Sequence, residues 1–388
     1  MFHLIKNANV FAPQAMGLCH VLVVAEKIIY IGAHEPVLDD IFDVEVVDLA
    51  GASLVPGLID GHAHITGGGG ETGPASRVPP VFLSQFTHSG VTSVVGVLGT
   101  DDLTRNTQSI VTQAYSLREE GMSAWCHTGG YHVPLTTVTG SARSDIVFVD
   151  PVIGVGELAI SDHRSSQPTL DEFLRIASEA HVAGLMTGKA GILHIHMGDG
   201  KRGLELVREA LDHSEIPARV FNPTHINRNK TLFEEALPLS LRGVRLDVTA
   251  FPEGHSDPGW SAAEAFLRYR KGDFPLDKLT ISSDGGGCLP HFNEEGEPVR
   301  MGVGCSSTLS ETLREILSHK VPMAQALAPF TTNVADLLKL SHKGRLQQGK
   351  DADMVVLDKH NNITDVMARG RWHKRHGQTQ IFGTYERS

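Results

Sequence analysis

The segment PGLIDGHAHITGGGGE, residues 56–71, marks the point at which the pattern of the chain changes. Upstream, the runs HVLVVAEKIIYIGA (20–33) and VEVVDLAGASLVPG (44–57) are rich in valine and isoleucine and are broken by glycine and proline, which is typical of short strands and turns. Downstream, short apolar runs alternate with longer helical patterns. The run that ends at His64 is the first of about eight such strand candidates.

Alternation of this kind predicts βα units and a parallel sheet, and eight units predict a TIM-like (β/α)8 barrel over residues 56–343. Helical patterns lie between the strand candidates, at 103–120, 170–183, 202–213 and 261–271. Strand signals return in KDADMVVLDKHNNITDVMARGRW (350–372). Neither end has enough strands to be stable alone, so residues 1–55 and 344–388 are predicted to pair into one small β-domain.

Composition excludes several classes of protein. The chain has 388 residues and a net charge of −11, and no basic block compensates for that charge, so a nucleic-acid partner is not expected. The four cysteines are scattered without a CxxC spacing, which argues against a disulfide framework (Cys19, Cys126, Cys288 and Cys305). Without a recognisable signal peptide or membrane span, the cytoplasm is the expected location.

Possible metal ligands follow several of the predicted strands. On a strand, residues i and i+2 point to the same side, so His62 and His64 can bind one ion together. Later strands end in further candidates: His194 and His196, His225, and Asp284. The C-terminal ends of barrel strands form the active-site face, and imidazole and carboxylate groups suit zinc and similar ions. His194 lies one step deeper than His196 and is the less expected ligand.

These motifs carry a family resemblance. PGLIDGHAH and GKDADMVVLD, with the later histidines and the aspartate, resemble the amidohydrolase superfamily. HITGGGGETGP, TGGYHVP, AISDHRS, PTHINRN and SSDGGG are similar to motifs of isoaspartyl dipeptidases. The resemblance covers nearly the whole chain. It implies a metal-dependent barrel, a β-sandwich built from both chain ends, hydrolysis of β-aspartyl dipeptides, and a cytoplasmic homo-octamer.

The resemblance also implies a two-metal ligand set, with zinc as the expected ion. It places one ion on His62, His64 and Asp284 and the other on His196 and His225. The family normally bridges the two ions with a carboxylated lysine at the end of the fourth strand, where this chain has Glu157. A glutamate has two oxygens to bridge with, but its shorter side chain leaves open whether two ions or one are held.

Lys189, in MTGKAG, is the nearest lysine that could replace the missing bridge. It precedes the fifth strand rather than ending the fourth, so it is expected at the opposite end of the barrel, as a surface charge.

The implied reaction is attack on the amide carbonyl by a hydroxide held between the ions. Asp284 is expected to take the proton and pass it to the leaving amine, and Tyr131 matches the family tyrosine that donates to the oxyanion. Glu71 is expected to meet the substrate ammonium, which it can reach because the four preceding glycines let the backbone approach closely.

The substrate carboxylates need forked donors, and Arg164 and Arg228 match the family arginines. Thr100 is expected to add a hydroxyl or main-chain contact. Cys288 stands where the family often has a serine, and a thiol is a poorer donor.

Two other functions fit the same motifs. A cyclic-amide hydrolase of the dihydroorotase or hydantoinase kind would use the same metal site without needing Glu71 for an ammonium. A non-catalytic assembly protein on this fold is less expected, because such relatives have typically lost the metal histidines that this chain retains.

Overall fold

The chain begins with five strands. The computed structural model describes residues 2–39, 43–254, 258–292 and 297–387. The strands are β1 (Phe2–Phe11), β2 (Ala15–Val24), β3 (Lys27–Gly32), β4 (Val44–Asp48) and β5 (Ser53–Pro56). β1 to β3 form an antiparallel meander, whereas β4 and β5 both lie parallel to β1. Strands β2 to β5 coincide with the valine- and isoleucine-rich runs of the sequence.

The eight strand candidates are all strands. They are β6 (Leu58–Ala63), β7 (Val91–Gly96), β8 (Ser123–Thr128), β9 (Val152–Ile160), β10 (Leu193–Met197), β11 (Phe221–Thr224), β12 (Leu246–Thr249) and β13 (Leu279–Ser282). Strands β6 to β11 form one parallel sheet in chain order, and β12 pairs in parallel with β13. The Ile226 amide donates to the Asp247 carbonyl, and Ala63 bridges in parallel to Gly285. These links close the predicted barrel.

Helices follow most of the barrel strands. They are α1 (Leu83–His88), α2 (Thr107–Glu119), α3 (Ala142–Phe148), α4 (Leu170–Thr187), α5 (Glu205–His213), α6 (Lys230–Leu241), α7 (Ala262–Lys271), α8 (Ser307–Ser318), α9 (Met323–Leu327) and α10 (Thr332–Leu337). The side chains of Asn106, Thr169 and Ser261 cap α2, α4 and α7 by accepting a hydrogen bond from the third residue of each helix. The four helical patterns of the sequence correspond to α2, α4, α5 and α7. No described helix has the length and apolar character needed to cross a membrane.

An antiparallel hairpin that the sequence patterns did not indicate follows the last barrel strand. It consists of β14 (Cys288–Phe292) and β15 (Pro298–Val303). Its first residues, Cys288 to Pro290, line the cavity at the C-terminal end of the barrel. The hairpin therefore adds a wall to that end.

The C-terminal strands join the N-terminal ones. They are β16 (Met354–Leu357), β17 (Ile363–Ala368), β18 (Arg371–Arg375) and β19 (Gln378–Thr379), and β16 pairs antiparallel with β5. The nine-stranded sheet runs in the order β19-β18-β17-β16-β5-β1-β2-β3, with β4 beside β1. A second sheet domain built from both chain ends is thus confirmed. The domain boundaries at residues 55/56 and 343/344 stay a prediction, and β5 crosses the first of them.

The sheet has two apolar faces. One encloses its own core, to which residues from both chain ends contribute, including Ile5, Val21 and Met354. On the other face, Val55 and Val355 belong to the large core of the barrel. This arrangement follows from the two-residue period of a strand, which places neighbouring residues on opposite faces.

Candidate metal and substrate site

The predicted metal ligands converge at the C-terminal end of the barrel. His62 and His196 lie on β6 and β10, and His64 directly follows β6. His225 and Asp284 follow β11 and β13 and have positive φ angles, 60° and 53°. Backbone conformations of this kind are held by the surrounding structure and cluster at functional sites. All five side chains are buried.

Glu157, on β9, lies between two groups of ligands. Its Oε1 atom is 3.7 Å from His62 Nε2 and 3.4 Å from His64 Nε2. Its Oε2 atom is 3.1 Å from His196 Nδ1 and 3.4 Å from His225 Nε2. One carboxylate oxygen therefore faces each histidine pair.

The residues present fit divalent cations. His62 Nε2, Glu157 Oε1 and Asp284 Oδ1 are buried and have no hydrogen-bond partner among the described residues. His62, His64 and Asp284 place ligand atoms within 4.8 Å of one another, and so do His62, Glu157 and His225. Buried acceptors without donors are costly unless an ion lies between them. Imidazole and carboxylate ligands are the set that zinc accepts.

The electrostatics of the site also favour a cation. Burial alone would raise the pKa of Glu157, but the neighbouring His62 and His196 hold that pKa well below its usual range. Burial likewise opposes ionisation of Asp284, and the neighbouring His62 and His64 lower its pKa. Against the effect of burial, Asp284 and Glu157 raise the pKa of His64 to about 10. The two carboxylates thus attract a positive charge to this point.

His194 contacts the candidate metal ligand His62. Its Nε2 atom lies 2.8 Å from His62 Nδ1, and its Nδ1 atom lies 2.6 Å from Asn222 Oδ1. Burial, together with the charge of His62, lowers the pKa of His194 to about 4, so this ring stays neutral. A hydrogen bond of this kind fixes the orientation of a metal-binding imidazole. On the other side, Thr249 Oγ1 is 2.7 Å from His225 Nδ1.

The glycine segment and the hairpin border a cavity of about 810 Å³ above these ligands. Gly67 and Gly69 have φ angles of 76° and 77°, and a Cβ atom on either would collide with the carbonyl oxygen of Val78 or Ser76. The glycines are therefore required to pack the loop against residues 76–78, in addition to leaving room for a ligand.

Glu71 lies at the end of the glycine segment and lines the cavity. Its Oε1 atom accepts a hydrogen bond of 3.0 Å from the Thr100 hydroxyl and one of 3.4 Å from Arg164 NH1. Its Oε2 atom is buried without a hydrogen-bond partner among the described residues. The free oxygen offers an acceptor to a cationic group of a ligand.

Arg228 and Tyr131 reach the cavity from other segments. Arg228 NH1 donates to the Met197 carbonyl at 2.6 Å, and its Nε donates to Asp199 at 3.1 Å. The Tyr131 hydroxyl is 2.8 Å from His196 Nδ1. Burial, reinforced by the charge of Glu157, raises the pKa of Tyr131 well above its usual value, so its hydroxyl keeps its proton and can donate.

Cys288, the first residue of β14, also lines the cavity. Burial and the nearby charge of Glu71 raise the pKa of its thiol to about 12. A thiol that stays protonated is a poor nucleophile. This agrees with the sequence interpretation, which did not assign Cys288 a nucleophilic role.

Two residues that sequence reasoning missed hold this end of the barrel. The buried Arg105 donates to the carbonyl oxygens of Thr66, Gly69 and Val78, and so supports the glycine segment. Asp162 lies within hydrogen-bond distance of both Arg164 and His196. Asp162 belongs to the AISDHRS motif, and the polar residues of this motif could have indicated a functional position. Its contacts to Arg164 and His196 depend on how the chain folds.

The Lys189 side chain is not simply a surface charge. It is half-buried, and its Nζ donates to the carbonyl oxygens of Ile146 at 2.7 Å and Val149 at 2.8 Å. These carbonyls precede β9, at the N-terminal end of the barrel, so Lys189 lies away from the candidate ligands as expected. The burial lowers the pKa of Lys189. Its role is to satisfy the carbonyls that end α3.

Residues 53–373 match the model of the Amidohydrolase family. The chain belongs to the amidohydrolase family. The β-aspartyl dipeptidase of Fervidobacterium islandicum AW-1, solved in complex with β-Asp-Leu, is 42% identical, with a TM-score of 0.93 and 98% of each chain covered. A second structure of that enzyme is 41% identical, with a TM-score of 0.89 and 98% and 99% coverage.

More distant amidohydrolases share less of the sequence. A deacetylase of Brucella anthropi is 25% identical over 346 residues, which are 81% of this chain and 74% of the relative. The dihydropyrimidinase of Brevibacillus agri is 17% identical, with a TM-score of 0.66 and 99% and 97% coverage, and it shows the fold alone. The resemblance to isoaspartyl dipeptidases is confirmed.

Proposed function

We propose that this amidohydrolase cleaves β-aspartyl dipeptides and that Glu157, together with the two histidine pairs, would hold two metal ions. The observation that carries the proposal is the division of the Glu157 oxygens between two histidine pairs, below a cavity with an anionic and a cationic side. The similarity to a β-aspartyl dipeptidase over 98% of both chains supports this substrate class.

The ions would be held by His62, His64 and Asp284 on one side and by His196 and His225 on the other. Two divalent ions bound there would lower the pKa of a water molecule and polarise the substrate carbonyl. We propose zinc, because the ligands are nitrogens and carboxylates.

The remaining chemistry belongs to side chains of this chain. Asp284, one of the residues that would hold an ion, can also take the proton of the attacking water and return it to the leaving amine. The protonated Tyr131 hydroxyl can donate to the negative charge that develops on the carbonyl oxygen. Neither Asp284 nor Tyr131 has to move in the proposed reaction. Both side chains would therefore be in place for proton transfer and for charge stabilisation before the substrate binds.

Recognition of the substrate uses both signs of charge. The Glu71 Oε2 atom would accept from the ammonium, with Thr100 holding the other oxygen. Arg164 and Arg228 supply forked donors for the two carboxylates. Cys288 lies beside Glu71 and contributes through packing or its backbone, since its thiol is a weak donor.

The test is hydrolysis of β-Asp-Leu by the purified protein after loading with zinc. We expect release of aspartate and leucine from β-Asp-Leu and no comparable cleavage of α-Asp-Leu. Dihydrouracil serves as a cyclic-amide substrate in the same assay. Turnover of dihydrouracil without turnover of β-Asp-Leu would favour the cyclic-amide alternative, and absence of bound metal would favour an assembly role.

The oligomeric state and the cellular location of the protein belong to the same proposal. We infer that the chain forms a homo-octamer in the cytoplasm, as the resemblance implies. Light scattering of the purified protein measures the number of subunits directly, and a mass near that of one chain would refute the octamer.

A further inference from the structure

Asp162 holds the guanidinium of Arg164 with both of its oxygens. Oδ1 accepts from Arg164 Nε at 3.0 Å, and Oδ2 accepts from Arg164 NH2 at 2.7 Å. Oδ1 also accepts from the Arg164 backbone amide at 2.7 Å. This paired geometry fixes the plane of the guanidinium and leaves NH1 directed toward Glu71, 3.4 Å away.

The same carboxylate contacts a candidate metal ligand. Asp162 Oδ2 is 3.1 Å from His196 Nε2, whereas the other ring nitrogen, Nδ1, is 3.1 Å from Glu157 Oε2. Asp162 is only 5% exposed, so water does not take the place of this contact. Asp162 is thus the point at which the Arg164 side of the cavity meets the histidine side.

The neighbours of His196 determine which of its nitrogens carries the proton. Each ring nitrogen lies 3.1 Å from a carboxylate oxygen, Nε2 from Asp162 and Nδ1 from Glu157. The Tyr131 hydroxyl lies closer to Nδ1, at 2.8 Å, than to Nε2, at 3.2 Å. A hydroxyl that donates to Nδ1 leaves Nε2 as the nitrogen that donates to Asp162, because an ionised carboxylate only accepts hydrogen bonds. The two arginine nitrogens near Nε2 have closer acceptors, since Arg164 NH2 donates to Asp162 at 2.7 Å and Arg228 NH1 donates to the Met197 carbonyl at 2.6 Å. The lone pair of neutral His196 then lies on Nδ1. It faces Glu157 Oε2 and the Tyr131 hydroxyl, and a cation placed between Nδ1 and Oε2 would bind the same lone pair.

We propose that Asp162 is a positioning residue for both halves of the site. It orients Arg164 toward the substrate, and it holds His196 as the Nε2-protonated tautomer so that Nδ1 faces the second metal position. Carboxylates that contact a metal-binding histidine in this way commonly affect metal affinity 10- to 100-fold. Substrate recognition and occupancy of the second metal position therefore depend on one side chain.

The first variant is Asp162→Asn, which keeps the shape of the side chain. The amide nitrogen of the new side chain can donate to His196 Nε2 and so favours the tautomer that is protonated on Nδ1. The side chain also has one acceptor oxygen fewer for Arg164. We expect about one zinc ion per chain to be lost at a chelator concentration that leaves the unmodified protein loaded. We also expect the KM for β-Asp-Leu to rise about 10-fold.

A second pair of variants separates the contact to His196 from the loss of the charged partner of Arg164. Asp162→Asn alone leaves the buried charge of Arg164 without its partner, which is destabilising by itself. The comparison of Arg164→Met with the double variant Arg164→Met, Asp162→Asn avoids that charge. Both variants lack the arginine, so they differ in the charge of residue 162 and in its contacts to His196 and to the backbone amide of residue 164. We expect Arg164→Met to retain its zinc and the double variant to require about 10-fold less chelator to lose one ion.

The part of this inference that concerns the substrate rests on the proposed function. The possible outcomes distinguish a failure of the inference from a failure of the proposed function. Equal zinc retention in the two Arg164→Met backgrounds would overturn the role of Asp162 toward His196. An unchanged KM in Asp162→Asn would overturn its role toward Arg164. If the unmodified, zinc-loaded protein failed to cleave β-Asp-Leu, the proposed function would fail, while the zinc measurements would still decide the tautomer role.

Discussion

Glu157 is the residue through which the proposed site would hold two ions. Its carboxylate supplies one oxygen to the His62 and His64 side and the other to the His196 and His225 side. The sequence left open whether a side chain shorter than a carboxylated lysine could serve both sides. The distances of 3.1 to 3.7 Å show that β9 brings Glu157 close enough to both.

Replacing Glu157 with glutamine tests this bridge. An amide retains one acceptor oxygen and loses the negative charge, so one of the two positions should lose its ion. We expect zinc content to fall from about two ions to one or fewer per chain, and kcat/KM to fall more than about 100-fold. Elemental analysis and β-Asp-Leu kinetics measure the two effects. Glu234→Gln, at an exposed position on α6, is the matched control and should change neither.

Glu71 determines whether the site requires an ammonium group. Replacing Glu71 with glutamine removes the charge that faces the ligand, and a charge-assisted hydrogen bond contributes about 1.5–3 kcal/mol. The kcat/KM for β-Asp-Leu should therefore fall about 10- to 100-fold. With N-acetylated β-Asp-Leu, which carries no ammonium, the unmodified protein and Glu71→Gln should react at similar rates. Full retention of dipeptide activity by the variant would favour the cyclic-amide alternative.

At the scale of elements, strands were predictable because their pattern is local. Eight barrel strands, β2 to β5 near the start of the chain, and β16 and β17 near its end could be predicted from apolar runs and turn residues. The hairpin of β14 and β15 and the short helices α1, α3, α9 and α10 could not, because few residues carry their pattern. The ligand positions were predictable because they follow strand ends. Asp162 and Arg105 were not, because the contact of Asp162 to His196 and those of Arg105 to the glycine segment join residues that are distant in the sequence.

The glycine segment depends on such a non-local contact. Arg105 donates to the carbonyls of Thr66, Gly69 and Val78, and it is only 6% exposed. In Arg105→Met these carbonyls lose their donors, and the loop that ends in Glu71 should become mobile. We expect the KM for β-Asp-Leu to rise and the free energy of unfolding to fall by about 2–4 kcal/mol.

Kinetics and urea denaturation test the Arg105 prediction. Arg143→Met, on the exposed side of α3, is the control for the loss of an arginine and should leave both quantities unchanged. If Arg105→Met lost stability but bound the dipeptide normally, the loop would not depend on Arg105 for its position at the site.

At the scale of the whole molecule, the barrel and the nine-stranded sheet are joined by polar contacts as well as by the shared apolar core. The buried Lys343 Nζ donates to Ser123, on the barrel strand β8, at 2.7 Å and to Asp353, next to β16, at 2.5 Å. Asp351 lies 2.8 Å from the same nitrogen. Because the barrel and the C-terminal part of the chain share these contacts, acidification that weakens the junction should destabilise the molecule as a whole.

His373 lies at this junction and gives stability a pH dependence. It is fully buried on β18, and Gly121, between α2 and β8, lies against its ring. Burial, with the charge of Arg371, lowers the pKa of His373 to about 4 from 6.5. Below pH 6.5 His373 is protonated in the unfolded chain but not in the folded protein. The contribution of His373 to the free energy of unfolding is therefore fully present above pH 6.5 and is lost as the pH drops toward 4.

The contribution of His373 can be isolated by comparing slopes. It should amount to about 3 kcal/mol at most between pH 6.5 and 4. In His373→Gln, which cannot be protonated, the free energy of unfolding should fall less steeply over that range, whatever its value at pH 7.5. His319→Gln, at an exposed position after α8, should keep the slope of the unmodified protein. Equal slopes for all three proteins in urea denaturation would mean that His373 takes up its proton without unfolding, and that the junction tolerates the charge.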